Sequence, residues 1–245
     1  MTKNFRYILI DNIKTIFYAL IIAVLIRSLF IQPFYIPSSS MEPTLLVGDR
    51  IFVSKLTYGI SKHSFPFSPN ISRDRFFSKD PIRGDLVVFK TPADNRTDYI
   101  KRLIGLPNDT IQFVNGDLYI NSKKIKKNKT VQTKPIRCGN FVLETNSFVE
   151  TLPNGVKYLA VYKKKGSIQN TKKYTVPDSH YFLLGDNRDC SKDSRYLDSV
   201  GYVKQINLVG KAKVIFFSND TLKGSLFKFW SLNNSFRFER LFKIL

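Results

Sequence analysis

Three consecutive hydroxyls, Ser38, Ser39 and Ser40, stand between Pro37 and Met41-Glu42-Pro43-Thr44, a few residues beyond the only long apolar run of the chain. A serine hydroxyl is a poor nucleophile at neutral pH and attacks a carbonyl only when a base takes its proton. The chain has two histidines, His63 and His180, and neither lies in a recognisable catalytic setting. Lysine is therefore the base to look for. Lys101 is a candidate, within Asp98-Tyr99-Ile100-Lys101-Arg102-Leu103-Ile104-Gly105, where Ile100 and Leu103 are apolar enough to bury an amine. Burial is a requirement. At an unperturbed pKa near 10.4 about one lysine in 2,500 is neutral at pH 7, and a fall of about 3 units needs roughly 4 kcal/mol of differential stabilisation.

The elements that carry these residues read as an anchor followed by short strands. From Thr15 to Ile31 the chain is apolar apart from Arg27, about 25 Å of helix, which spans a bilayer core if Ile13 and Phe34 contribute and Arg27 snorkels. A cleavable secretory signal is the alternative, but Gln32-Pro33-Phe34-Tyr35 offers no small-x-small pair, so an uncleaved anchor is expected. No polar face interrupts Ile16 to Ile26, which argues against a buried soluble helix. Lys3, Arg6 and Lys14 precede the run and predict a cytoplasmic N-terminus, residues 1–14, with residues 32–245 outside.

Past residue 45 the pattern turns to short β-rich runs: Ile51-Phe52-Val53, Asp85 to Phe89, Tyr99 to Leu103, Tyr181 to Leu184 and Val214 to Phe217. Asn115-Gly116 between Thr110 to Val114 and Asp117 to Asn121 is a strong hairpin signal. A mostly β barrel or sandwich follows, since helical patterns do not alternate with the strands. Residues of about 122–175 are rich in lysine and asparagine and read as an insertion from the core sheet. Gly59 to Ile82, with three prolines, reads as a long surface loop. Phe238, Leu241, Phe242 and Leu245 fall at helical spacing opposite Arg237, Arg240 and Lys243, either packed on the sheet or as a basic amphipathic segment on the membrane.

The net charge of +20 would suggest nucleic acid for a soluble protein. The lysine clusters at 123–124, 126–127 and 163–165 lack the aromatic interleaving of a single-strand binder, so they read either as solvated loop charge or as attraction to anionic lipid headgroups, with membrane lipid the expected partner and nucleic acid not. Cys138 and Cys190 are too few for a disulfide framework or a zinc site. They pair or stay free, and a free Cys190 would put a thiol on the rim beside Ser191.

Taken in order behind the apolar run, Ser38-Ser39-Ser40-Met41-Glu42-Pro43, Arg83-Gly84-Asp85-Leu86-Val87-Val88-Phe89, Tyr99-Ile100-Lys101-Arg102 and Gly185-Asp186-Asn187-Arg188-Asp189-Cys190-Ser191-Lys192-Asp193-Ser194-Arg195 closely resemble bacterial type I signal peptidase over about residues 15–217. The resemblance implies a membrane-anchored serine endopeptidase on a mostly β fold of short antiparallel strands. It implies removal of N-terminal signal peptides from translocated preproteins at the outer face of the bacterial inner membrane. Ser40 aligns with the nucleophile and Lys101 with the general base. Ser38 matches the hydroxyl that joins the Ser40 N–H in the oxyanion hole, and Ser191 the serine that orients the lysine. Asp186 with Arg102, and Asp193 with Arg195, match bracing ion pairs; Phe34, Ile36 and Ile100 match the lining of pockets for small residues. No metal or organic cofactor is expected. Cys190 stands where many relatives carry Asn, and Ser39 where Gly is frequent.

A penicillin-recognising serine enzyme would need companions that the Ser225-Leu226-Phe227-Lys228 segment lacks. The apolar anchor argues against a repressor-type Ser/Lys protease. A catalytically silent lipid- or nucleic-acid-binding module is the reading from another class, and it makes Ser40 and Lys101 dispensable.

Overall fold

A computed structural model of the chain describes residues 2–69, 74–131, 135–220 and 235–245, with side chains from Tyr7 onward. No glycine or proline precedes Pro33, and Thr2–Leu29 form one helix, α1. Its segment Tyr7–Leu29 is long and apolar enough to cross a membrane, and it is exposed up to Arg27, with Ser28 buried and Leu29 half-buried where the helix meets the sheet. The helix starts before the apolar run read from Thr15 and ends short of Ile31, which opens the first strand.

The main antiparallel sheet is built from β1 (Ile31–Tyr35), β2 (Asp49–Ser54), β3 (Leu86–Lys90) and β4 (Asp98–Gly105). Outside it come β5 (Thr110–Val114), β6 (Asp117–Ile120), β7 (Lys123–Lys124), β8 (Lys126–Thr130), β9 (Ile136–Cys138), β10 (Phe141–Leu143), β11 (Thr145–Thr151), β12 (Lys157–Lys163) and β13 (Tyr174–Thr175). The chain then returns through β14 (His180–Leu184), β15 (Val203–Lys204), β16 (Leu208–Ser218) and β17 (Lys243–Ile244). The strand order is β1-β2-β16-β3-β4-β14-β15, with β17 also on β16. Pro33 lies in the edge strand β1, where a missing N–H is tolerated. Bulges along β16 curl the sheet. A side chain at Gly210 would strike the Ser54 carbonyl across that strand pair, so glycine is required there.

Asn115 and Gly116 both adopt positive φ, 50° and 77°, and close β5 onto β6 in a two-residue hairpin turn. Ile111, Phe113, Leu118 and Ile120 point inward from this hairpin. They share a core with Ile104, Phe182 and Leu184 of the main sheet and with Leu152, Tyr158, Ala160 and Tyr162. The lysine-rich stretch 122–175 thus supplies part of a core, through Ile125, Leu152, the β12 residues Tyr158, Ala160 and Tyr162, and Tyr174, with Phe148 of β11 packed against it. Gly59 to Ile82 is irregular where described, with one 3₁₀ turn at Lys62–Ser64 and a bridge between Ile60 and Phe76.

The C-terminal segment takes the sheet-packed alternative. Phe238–Arg240 form a 3₁₀ turn and Lys243–Ile244 pair with β16. Arg240 faces inward and donates to both oxygens of Asp49, at 2.9 and 2.5 Å, and to the Thr44 carbonyl at 3.0 Å. A buried carboxylate that demands a cation overrides the helical spacing of Phe238, Leu241, Phe242 and Leu245.

Candidate active site

The serine loop joins β1 to β2. Ile36, Met41 and Leu45 sink into a core with Ile51, Val53, Leu86 and Val88, which pins the loop on both sides of its short 3₁₀ turn, Ser39–Met41. Ser40 and Lys101 are buried, 8% and 4% exposed. The Lys101 amine donates to Ser40 Oγ at 2.6 Å. Ser38 Oγ stands 3.3 Å from Ser40 Oγ.

Lys101 lies opposite Val87 in the β3/β4 register. Strand alternation places Tyr99 and Leu103 on its face, and Ile100 and Arg102 on the other. Of the two neighbours expected to shield the amine, Leu103 shares its face and Ile100 does not. Tyr99 takes that place, its ring centroid 5.5 Å from Nζ. Burial lowers the Lys101 pKa from 10.5 to about 8, against the opposing charges of Asp193 and Asp186 and with help from Arg195. About one amine in ten is then neutral at pH 7.

Both expected ion pairs are assembled. Arg102 donates from Nε and Nη2 to the two oxygens of Asp186, at 2.8 and 2.6 Å, and from Nη1 to the Gly84 carbonyl at 2.9 Å. Thr44 Oγ1 also donates to Asp186, at 2.5 Å, tying the serine loop to the pair. Arg195 grips Asp193 in the same two-pronged way, at 2.8 and 2.9 Å, and the Gly185 N–H donates to Asp193 at 3.0 Å. Burial pushes the Asp193 pKa up, but the Arg195 charge together with the hydrogen bonds that Asp193 accepts outweighs it, and the net shift is downward.

Ser191 is buried, and its hydroxyl meets no partner at hydrogen-bond geometry among the described residues, though it lies near enough to help hold Asp193 ionised. It lies against Gly185 and close to the Ser40 carbonyl; a side chain at Gly185 would collide with both. Phe34, Ile36 and Ile100 meet in one apolar cluster, Ile36 buried and the other two half-buried.

Several residues here escaped the sequence reading. Asn187 donates from Nδ2 to the carbonyls of Ser39 (3.0 Å) and Arg137 (2.8 Å), and its N–H donates to the Ser40 carbonyl (3.1 Å). Glu42 accepts from the Arg137 N–H at 2.7 Å. These bonds draw β9 to the serine loop and seat Cys138 beside Cys190, where the two form a disulfide. Of the two alternatives that the sequence leaves open, the cysteines take the paired one, and Cys190 is not a free thiol on the rim. Beneath the loop, Arg188 pairs with Glu150 at 2.7 Å, each 1% exposed. The Tyr158 and Tyr162 hydroxyls donate to the same carboxylate at 2.7 and 2.5 Å. The Gly185 to Arg195 motif contained Arg188 but carried no signal for its partner. Among the described residues, no group of three or more His, Cys, Asp or Glu is placed to hold a metal ion.

Residues 9–217 match the family described as signal peptidase, peptidase S26. The chain belongs to that family. Signal peptidase I of Rickettsia conorii (strain ATCC VR-613 / Malish 7) is 41% identical over 217 residues, 82% of this chain and 77% of that protein. Its counterpart in Rickettsia canadensis (strain McKiel) is 42% identical over 220 residues, 84% of this chain and 78% of that one. A crystal structure of a signal peptidase I from Enterococcus faecalis V583 shares 29% identity, covering 54% of this chain and 97% of that one, at a TM-score of 0.33. Membership of the family supports a serine endopeptidase, and in this chain a serine hydroxyl and a lysine amine lie in hydrogen-bond contact at Ser40 and Lys101.

Proposed function

We propose that this chain is anchored in a bacterial plasma membrane by α1 and removes N-terminal signal peptides from translocated preproteins, with Ser40 as nucleophile and neutral Lys101 as general base. The observation that carries this reading is the buried amine 2.6 Å from a buried hydroxyl. Lys101 takes the Ser40 proton as Oγ attacks the scissile carbonyl, and the Ser40 N–H with the Ser38 hydroxyl holds the developing oxyanion. Lys101 then protonates the leaving amine and activates the water that releases the acyl group. The proton inventory closes on these side chains and water, so the reading needs no metal or organic cofactor.

Arg102 with Asp186 and Arg195 with Asp193 act as positioning residues, holding β4 and the Gly185 to Arg195 loop against Ser40. Ser191 is assigned to orient the amine once substrate closes the site. Phe34, Ile36 and Ile100 line shallow pockets for small side chains before the cut. The lysines and arginine ahead of Thr15 keep the N-terminus cytoplasmic in a single-pass arrangement, with the sheet on the outer face near membrane lipid.

The test is cleavage of an authentic preprotein by the detergent-solubilised full chain. Ser40→Ala and Lys101→Ala should each lower kcat by at least about a thousandfold with unchanged circular dichroism. The double variant should lose little more, because the two groups act as one unit. Substantial turnover in either single variant removes that residue from the mechanism.

A further inference from the structure

A cavity of about 660 Å³, not lined by Ser40 or Lys101, opens where α1 meets the sheet. The Lys55 N–H donates to the carbonyl of Phe30, one residue past α1, at 2.9 Å, which holds the cavity at the helix end. Its wall carries Arg27, Lys55, Lys62, His63, Lys90 and Arg96 against two carboxylates, Asp94 and Asp98. Both carboxylates are committed elsewhere. Asp98 pairs with Lys90 at 2.9 Å, and Asp94 accepts from the hydroxyls of Thr91 and Thr97 and from the N–H groups of Arg96 and Thr97. Arg27, Lys55, Lys62 and Arg96 have no acidic partner among the described residues.

Two buried groups at this wall lack the partners their chemistry calls for. Lys55 is 2% exposed and, among the described residues, its amine donates to the Ser64 carbonyl alone, although an ammonium has three donors. Burial, and then the like charge of Arg27, bring its pKa down to about 8. His63 is 4% exposed; its Nδ1 meets Ser68 Oγ at 3.0 Å, and its Nε2 is buried without a partner among the described residues. Buried polar atoms are nearly always bonded, so such atoms call for a ligand.

We propose that this cavity binds a phosphate group, supplied by the headgroup of an anionic phospholipid. Phosphate oxygens accept several N–H donors from different directions, and lysine serves them as a point charge. The volume falls within the usual range for small-ligand sites. Phe67 on the same wall is wholly exposed, which suits an amphiphile with its apolar end in a bilayer better than a free anion. The wall also includes Phe34 of β1 and Asp98 of β4, so the bound headgroup ties the strands leading to Ser40 and Lys101 to the membrane surface. That placement rests on α1 crossing the membrane, whereas the headgroup site itself is testable in detergent.

Native mass spectrometry of the full chain in a neutral detergent, titrated separately with phosphatidylglycerol, phosphatidylcholine and inorganic phosphate, tests the site. One phosphatidylglycerol should be retained in preference to the other two probes. Replacing Lys62→Gln and Arg96→Gln together should weaken it about 25-fold, at about 1 kcal/mol or fivefold per cation. Peptide cleavage in detergent should stay unchanged in that variant, since neither residue belongs to the catalytic machinery. Lys55→Met should abolish retention; if it fails to fold, the Lys62/Arg96 variant still decides. Equal retention of the two lipids, an unchanged affinity in the double variant, or phosphate binding as tight as the lipid overturns the proposal. Failure of α1 to insert is read separately, by protease protection in vesicles, and leaves the detergent titration intact.

Discussion

Titration of Lys101 should govern both the rate and the stability of this protein, each rising as the amine loses its proton. With the amine at about 8, the neutral fraction is about 1% at pH 6, 10% at pH 7 and 90% at pH 9. The kcat/KM for a preprotein should therefore rise roughly tenfold per pH unit from pH 6 and level off near pH 9. A shift from 10.5 to about 8 also means that the folded state binds the proton less tightly than the unfolded chain. Below pH 8 the buried ammonium costs roughly 3 kcal/mol in full, and the cost fades as pH rises from 8 to 10.5. Lys101→Met should accordingly abolish cleavage yet unfold at higher urea than the parent at pH 7, with the gain shrinking by pH 10. Steady-state kinetics across pH 6 to 10.5 and equilibrium urea unfolding check the two halves. An acid limb above pH 10 would show that the amine is not desolvated. A limb near 6.5 would move the base to an imidazole, though not to His63, whose pKa burial pushes to about 4.

Asp193 is the strongest charge holding the proton on Lys101, so any active Asp193→Asn enzyme should show its acid limb below that of the parent, read from the same pH profile. Preproteins with Ala or Gly at the first and third positions before the cut should be processed, and Phe or Lys at either should block cleavage, if the apolar cluster of buried Ile36 with half-buried Phe34 and Ile100 receives those side chains as proposed; efficient cutting after Phe refutes the pocket assignment. Mass spectrometry of the non-reduced protein treated with a thiol reagent should find neither cysteine labelled. Cys138→Ser with Cys190→Ser should lower the unfolding free energy by up to about 4 kcal/mol for a 52-residue separation, and complete labelling of Cys190 would sink this. Glu150→Gln should cost about 3–5 kcal/mol in urea unfolding by leaving the Arg188 guanidinium buried without its carboxylate, and an unchanged midpoint would show that the charge is solvated.

What was legible in the sequence was what the chain encodes locally or as an ordered set of motifs. Asn115-Gly116 announces its hairpin because both positions must take positive φ, and the alternation in Thr110–Val114 survives as an inward and an outward face. Ser40 and Lys101 are 61 residues apart, and it is the company of the neighbouring motifs that names them. What escaped is nonlocal pairing. No spacing rule joins Cys138 to Cys190; their approach is produced by Asn187 and Glu42, each spanning from the serine loop or its neighbour to Arg137. Phe238 to Leu245 misleads because the inward partner of Arg240 is Asp49, 191 residues earlier. Glu150 hides best of all. It falls within the stretch 122–175 that reads as an insertion, with no lysine or arginine between Arg137 and Lys157 to mark a partner, whereas in the fold β11 turns it under the Gly185 to Arg195 loop to meet Arg188. A guanidinium that cannot reach water must be neutralised from the other side. The stretch that looks most dispensable in composition therefore carries the carboxylate on which the loop beside Lys101 rests.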